Sequence, residues 1–404
     1  MSRRAPSGRP RVALAMALGA CAFVAGTLAA GASASPLERA LDYLSARQDP
    51  ATGAVGPEAG RAADTAWTAM AVAGAGEAPA GWVQGTATLA SAVGALPMDA
   101  TGDLLRLAVA RRAAGLVDAD LAARVGAQQS ADGSFPGGPI ATLWGILALR
   151  ATGRAPGDAA LTAAVGALAA QRAADGGWST TSGAPASDAV ATATAIQALR
   201  AARMPVTDPV LQGARARLLA LRDPDGGFAR SPVPTAWAIM AIRSLGERPG
   251  RGPWARGGSP ITVLQGFQQD DGGIRATPSS GASVFSTAVA ALAWSRGLLP
   301  VAPGTARTPD RAPRVVRRTP ATGDVVRGVL SVRYVDERGG TGIDPLRTTV
   351  SVNGADITRS ARITPFTLQL RQSALPVGSL AVSVMVRDRA GHGTRSEWTV
   401  VGTG

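Results

Sequence analysis

From Ser35 to Pro300 the chain alternates between long apolar runs and short polar phrases. An apolar run from Leu161 to Ala170 is followed by Gln171 and Asp175-Gly176-Gly177-Trp178, and then by a second run from Thr192 to Ala202. Runs of this length predict helices, and the phrase between them predicts a turn. The phrase recurs at Asp132-Gly133, Asp225-Gly226-Gly227-Phe228 and Asp271-Gly272-Gly273-Ile274, in steps of 43, 50 and 46 residues. A period of that size is the signature of stacked two-helix units.

Aligning the second helix of each unit on its threonine sharpens the repeat. Thr65, Thr142, Thr192, Thr235 and Thr287 each open an Ala-rich run, and Thr101 opens a sixth whose unit lacks the Asp-Gly turn. A threonine at the start of a helix predicts an N-cap, and Asp-Gly supplies the positive φ of a tight turn. Six helix pairs closed into a ring would leave no apolar end in water.

The pattern changes at Asp324. Val326 to Val335, Thr348 to Val352, Thr364 to Leu370, Leu380 to Val386 and Glu397 to Val401 alternate with a period of two, separated by turns such as Asn353-Gly354. They predict a small β-sandwich. The boundaries read 1–34 leader, 35–300 helical repeats, 301–320 a linker rich in Pro and Arg, and 321–404 the β domain.

Composition refines this picture. Apolar residues make up 46% of the chain but aromatics only 4%, which suits closely packed helices. The net charge of +13 divides unevenly: residues 35–306 carry 22 Arg against 20 acids, and residues 307–404 carry 15 Arg against 8. A near-neutral repeat region argues against nucleic acid as a partner. Arg307, Arg311, Arg314, Arg317 and Arg318 form a basic run for which two readings stand, a contact with anionic cell-wall polymer or lipid headgroups and a solvated linker.

Arg3, Arg4, Arg9 and Arg11 precede an apolar stretch from Val12 to Ala30 and the small residues Ala32-Ser33-Ala34. This reads as a secretory leader cut after Ala34, giving an extracellular or envelope protein. The alternatives are an uncleaved anchor and a lipoprotein through Cys21. Removal of the leader removes the only cysteine, and with it any disulfide or thiolate ligand.

Glutamine, Asp-Gly-Gly-Trp and an Ala/Leu helix opening at Thr together resemble the repeats of the prenyltransferase and squalene cyclase family. The resemblance covers about Ser35 to Pro300 and implies an all-α (α/α)6 toroid. The phrase from Val384 to His392 resembles a strand and turn of bacterial immunoglobulin-like domains, which implies an immunoglobulin-like sandwich after the toroid. The family's class II cyclases protonate an alkene with an Asp-x-Asp-Asp motif just before a helix-opening Thr. Here the four residues before Thr65, Thr101 and Thr192 hold one carboxylate each, Asp64, Asp99 and Asp188. The zinc site of protein prenyltransferases needs Cys and His, and the chain's one histidine, His392, lies in the β region.

Trp67, Trp144 and Trp237 occupy one position in three units, where the others carry Thr194, Val289 and Asp103. They line a ligand pocket in one reading and fill the core in the other. Asp64, Asp99, Asp103 and Asp188 are weak candidates for catalysis; as helix-start charges they need no further role. The resulting expectation is a non-catalytic protein that binds an apolar or amphipathic ligand at the cell envelope, with no cofactor and no metal. A divergent terpene cyclase, a protein resembling the cobalamin carriers and an envelope scaffold are the alternatives.

Overall fold

The computed structural model describes residues 35–180, 184, 186–305, 312–336, 342–389 and 391–403, so the leader read over residues 1–34 lies outside it. Many of the helices begin where the sequence supplies an acceptor for a free N–H. Ser35, Thr88, Asp118, Asp158, Asp208 and Ser259 cap α1 (Pro36–Ser45), α3 (Leu89–Gly94), α5 (Ala119–Ala127), α7 (Ala159–Ala170), α9 (Pro209–Ala220) and α11 (Pro260–Gly266) through their side chains. Between them lie α2 (Arg61–Gly74), α4 (Thr101–Ala114), α6 (Gly138–Ala151), α8 (Ala189–Ala201), α10 (Pro232–Ser244) and α12 (Val284–Ser295).

Burial separates the two sets. In α9 only the stripe Leu211, Ala214 and Leu218 is buried, whereas α10 is buried without interruption from Thr235 to Ile242. One apolar stripe places a helix outside; burial all round places it inside. The inner helices contact one another in sequence, and α12 packs back onto α2, which closes the ring into an α/α toroid of six pairs.

The repeat threonines are not N-caps. Thr65, Thr142, Thr192, Thr235 and Thr287 sit four or five residues into their helices and are fully buried. Each hydroxyl accepts the backbone N–H of the apolar residue after the turn: Val55 at 3.0 Å, Phe135 at 3.2 Å, Trp178 at 3.1 Å, Phe228 at 3.0 Å and Ile274 at 2.8 Å. This bond satisfies a donor that burial would otherwise strand, and it locks the anchor side chain into the core. Thr101 differs. It opens α4 itself and donates to Gln128 Oε1 at 2.6 Å, while the fourth and fifth positions of α4 are the buried Leu104 and Leu105.

Two further sets of contacts tie neighbouring units together. Gln48 Nε2 donates to Gly53 O and Trp82 O, Gln129 Nε2 to Gly133 O and Ala160 O, and Gln268 Nε2 to Gly272 O and Pro36 O. Gln129 and Gln268 thus join their own turns to the next outer helix and Gln48 joins its turn to the loop before α3, and the Gln268 bond to Pro36 carries that join across the closure from last unit to first. Gly272 explains the glycine of the turn: its φ is +88°, and a Cβ there would lie 2.1 Å from Arg39 O. At the other end of the ring, Arg150 donates to Ala201 O at 2.9 Å, Arg200 to Ser244 O at 3.0 Å, and Arg243 to Ala293 O. Cations there meet the negative ends of neighbouring inner helices.

A short hairpin of β1 (Ile274–Arg275) and β2 (Ala282–Ser283) leads into α12. The C-terminal region forms two four-stranded antiparallel sheets over one core. One sheet has the order β3 (Arg314–Thr319), β4 (Val329–Val335), β8 (Thr367–Arg371), β7 (Ala361–Ile363). The other has β10 (Gly393–Gly402), β9 (Gly378–Arg387), β5 (Thr349–Val352), β6 (Ala355–Asp356). The alternating valines of β9 point inward, and Asn353-Gly354, both at positive φ, make the tight β5–β6 turn.

The sequence places the basic segment Arg314–Thr319 in a linker rich in Pro and Arg. It is an edge strand, held in register by pairing with β4. The described residues form one compact unit. Among the described residues no helix is long and apolar enough to cross a membrane.

Candidate functional site

Three of the ring's aromatic side chains meet one another. Trp67 lies edge-on to Trp144 with ring centroids 6.0 Å apart and to Trp237 at 5.4 Å, and Trp144 stands 6.1 Å from Trp237. Phe285 of α12 completes the cluster, 5.7 Å from Trp67. Spacings and T-shaped angles of this kind are those of packed aromatic cores. None of the three indoles is more than 7% exposed. Thr194, at the corresponding position of α8, is 2% exposed and gives its hydroxyl proton to Val190 O at 2.7 Å.

The four aspartates lie in different surroundings. Asp99 and Asp103 are exposed, and Asp188 caps α8, accepting from Ala191 N at 2.8 Å and Thr180 N at 2.5 Å. Asp64 is different: it is 7% exposed, and among the described residues no hydrogen bond or ion pair reaches its carboxyl group. Loss of hydration, with no cation to compensate, pushes its pKa up to about 6. Gly56 makes room for it, since a Cβ at that glycine would lie 2.4 Å from Asp64 Oδ2.

Asp64 borders an open cleft of about 700 Å³ with Tyr43, Arg47, Ala282 and Ser283, where the first and last units meet. Arg47 lies over the Tyr43 ring at 3.4 Å and 3.6 Å from Asp271 Oδ2. Burial lowers the Arg47 pKa and raises that of Tyr43. Two further clefts adjoin this one, both between the first helical unit and the β domain. One, of about 290 Å³, is bordered by Arg47, Gly56, Val335 and Phe366; the other, of about 470 Å³, by Tyr43, Ala46, Val315, Val316 and Val335.

The basic run resolves into separate roles. Arg314 is bound to Asp42 of α1, and Arg318 reaches Glu397 O at 3.1 Å with its guanidinium 5.6 Å from the Trp398 ring. Arg317 pairs across the sheet with Arg333. Arg307 and Arg311 lie outside the described residues.

The ring's closure through α12 and α2 decides the fold. The helical domain is a closed α/α toroid. No family model matches the chain, and no curated protein matches it. Among solved structures it is similar to ent-copalyl diphosphate synthase from Streptomyces platensis, at 20% identity over 58% of this chain and 50% of that one, with a TM-score of 0.42. It is also similar to the type II terpene cyclase MstE from Scytonema, at 14% identity over 65% of this chain and 97% of that one, with a TM-score of 0.41. A further match, at 23% identity over 22% of this chain and 91% of the other with a TM-score of 0.18, is to CopC from Methylosinus trichosporium OB3b. The chain spans half the length of the Streptomyces enzyme.

Within the toroid, Asp64 stands directly before Thr65, at the end of the stretch Arg61-Ala62-Ala63-Asp64, and is its only carboxylate. Tyr43, Arg47 and Arg333 escaped sequence reasoning. Arg333 carried a signal, because the alternation of β4 puts it on the outward face; Tyr43 and Arg47 carried none, because nothing local says that α1 borders a cleft. Among the described residues no group of three or more His, Cys, Asp and Glu is placed to hold a metal ion.

Proposed function

We propose that this is a non-catalytic envelope protein that binds an amphipathic ligand in the clefts between the first toroid unit and the β domain. The contact of Trp67, Trp144 and Trp237 carries this reading, because indoles packed on one another leave no free ring face for a ligand between them. The clefts at Tyr43, Val316 and Val335 combine apolar walls with charged rims, the composition an amphipathic molecule fits. In this reading the leader delivers the chain across the membrane, and the β domain is an immunoglobulin-like module that supplies the second wall of the site.

Native mass spectrometry of protein gently extracted from its source tests the proposal. A bound amphiphile is expected, and it should be lost on Ala46→Arg, which fills the cleft, and retained on Trp144→Phe, which leaves the cleft untouched. Loss on Trp144→Phe with retention on Ala46→Arg would move the ligand into the ring and overturn the proposal.

A second reading, a divergent cyclase, draws on one observation. Asp64 holds its proton to about pH 6 beside a cleft, as a general acid requires. Incubation with squalene or a prenyl diphosphate, followed by product analysis, tests it. Cyclised product that disappears on Asp64→Asn would establish this reading over the first, and turnover unchanged by Asp64→Asn would remove Asp64 from it.

A further inference from the structure

Cross-strand neighbours of like charge destabilise a sheet unless something lies between them. Arg317 of β3 and Arg333 of β4 are direct register partners on adjacent strands, next to the irregularity that separates Val315 from Arg317. Both border the cleft of about 470 Å³, together with Tyr43 and Ala46 of the first unit. Among the described residues neither guanidinium has an ion-pair or hydrogen-bond partner.

The other charges of the cleft are accounted for. Arg314 holds Asp42, Arg47 holds Asp271 at 3.6 Å, and Arg39 donates to Gln268 Oε1 at 2.5 Å. Asp270, exposed at the rim, is the remaining acid. Two unpartnered forks thus face one space beside an apolar wall of Val315, Val316 and Val335. Guanidinium groups match the oxygens of a carboxylate or phosphate in paired hydrogen bonds, and two of them favour a group with several negative oxygens.

We propose that Arg317 and Arg333 grip the anionic head of the amphiphile, phosphate or carboxylate, while its tail lies along Val316 and Tyr43. This rests on the cleft reading above and adds the sign and place of the head group. The experiment measures binding to the full chain of dodecyl phosphate, laurate, dodecanol, inorganic phosphate and vesicles with or without phosphatidylglycerol. Arg317→Gln, Arg333→Gln and the double variant are compared with wild type. Removing one of two opposed like charges should leave the melting temperature unchanged or raise it, which serves as the folding control.

Dodecyl phosphate is expected to bind at least tenfold tighter than dodecanol, and the double variant should abolish that preference while leaving dodecanol affinity unchanged. Arginine-dependent binding of monomeric dodecyl phosphate identifies a free amphiphile as the source; arginine-dependent binding confined to phosphatidylglycerol vesicles identifies a membrane headgroup. Equal affinity for dodecanol and dodecyl phosphate, or a preference that survives the double variant, overturns the head-group assignment while the cleft reading stands. Failure of every amphiphile and vesicle to bind defeats both.

Discussion

Asp64 offers the sharpest energetic test, because its surroundings fix both the sign and the size of the effect. A carboxyl group whose pKa rises from 3.8 to about 6 on folding stays protonated in the native state while the unfolded chain has already ionised. Well below pH 3.8 neither state is charged and folding carries no penalty. As the pH rises from 4 to 6 the penalty grows, and above 6 it is constant at about 3 kcal/mol, from about two pKa units at 1.36 kcal/mol each. Asp64→Asn preserves the shape and removes the charge. Urea unfolding of both proteins from pH 3 to pH 8 should therefore give nearly equal stabilities at pH 3 and an Asn variant about 2–3 kcal/mol more stable at pH 8. Every other titrating group is common to the two proteins and cancels in the difference. A stability difference that does not change with pH, or a wild type that is the more stable at pH 8, would show that Asp64 is hydrated or paired in solution and refute the argument.

Other predictions address the architecture. Thr235→Val removes the acceptor of the buried Phe228 N–H, and calorimetry should record a loss of about 1–3 kcal/mol. Trp67→Ala opens a hole among Trp144, Trp237 and Phe285 and should cost about 3–5 kcal/mol in urea unfolding; a loss below 1 kcal/mol would mean that the ring centre is not packed. Gln268→Leu cuts the polar join between the last unit and the first, so hydrogen exchange should accelerate in α1 and at Gly272 while α7 and α8 keep their protection. Gly272→Ala places a methyl group against Arg39 O at positive φ and should destabilise the same closure more strongly.

Much of the fold is local and so could be read from the chain. The Asp-Gly turns, the apolar runs and the period-two strands each depend on residues near in sequence, and together they set six helix pairs and a β domain. The threonine repeat was visible too, yet its role was not: the hydroxyl serves an N–H seven to fourteen residues earlier, which only the folded unit brings within reach. The join is carried by Gln48, Gln129 and Gln268, whose partners lie in the next unit, and for Gln268 at the far end of the ring.

The site was less legible still. Sequence position made Asp64, Asp99, Asp103 and Asp188 look alike, and tertiary packing separated one buried carboxyl group from two exposed ones and a helix cap. It likewise turned three equivalent tryptophans into a mutual contact, and a run of arginines into one ion pair, one stacked side chain and one unpartnered fork opposite Arg333. Residue type and spacing determine which elements form, since those follow from short-range sterics and hydrogen bonding. Burial, charge pairing and the space between elements depend on partners hundreds of residues apart, such as Asp42 and Arg314, and only the three-dimensional arrangement supplies them.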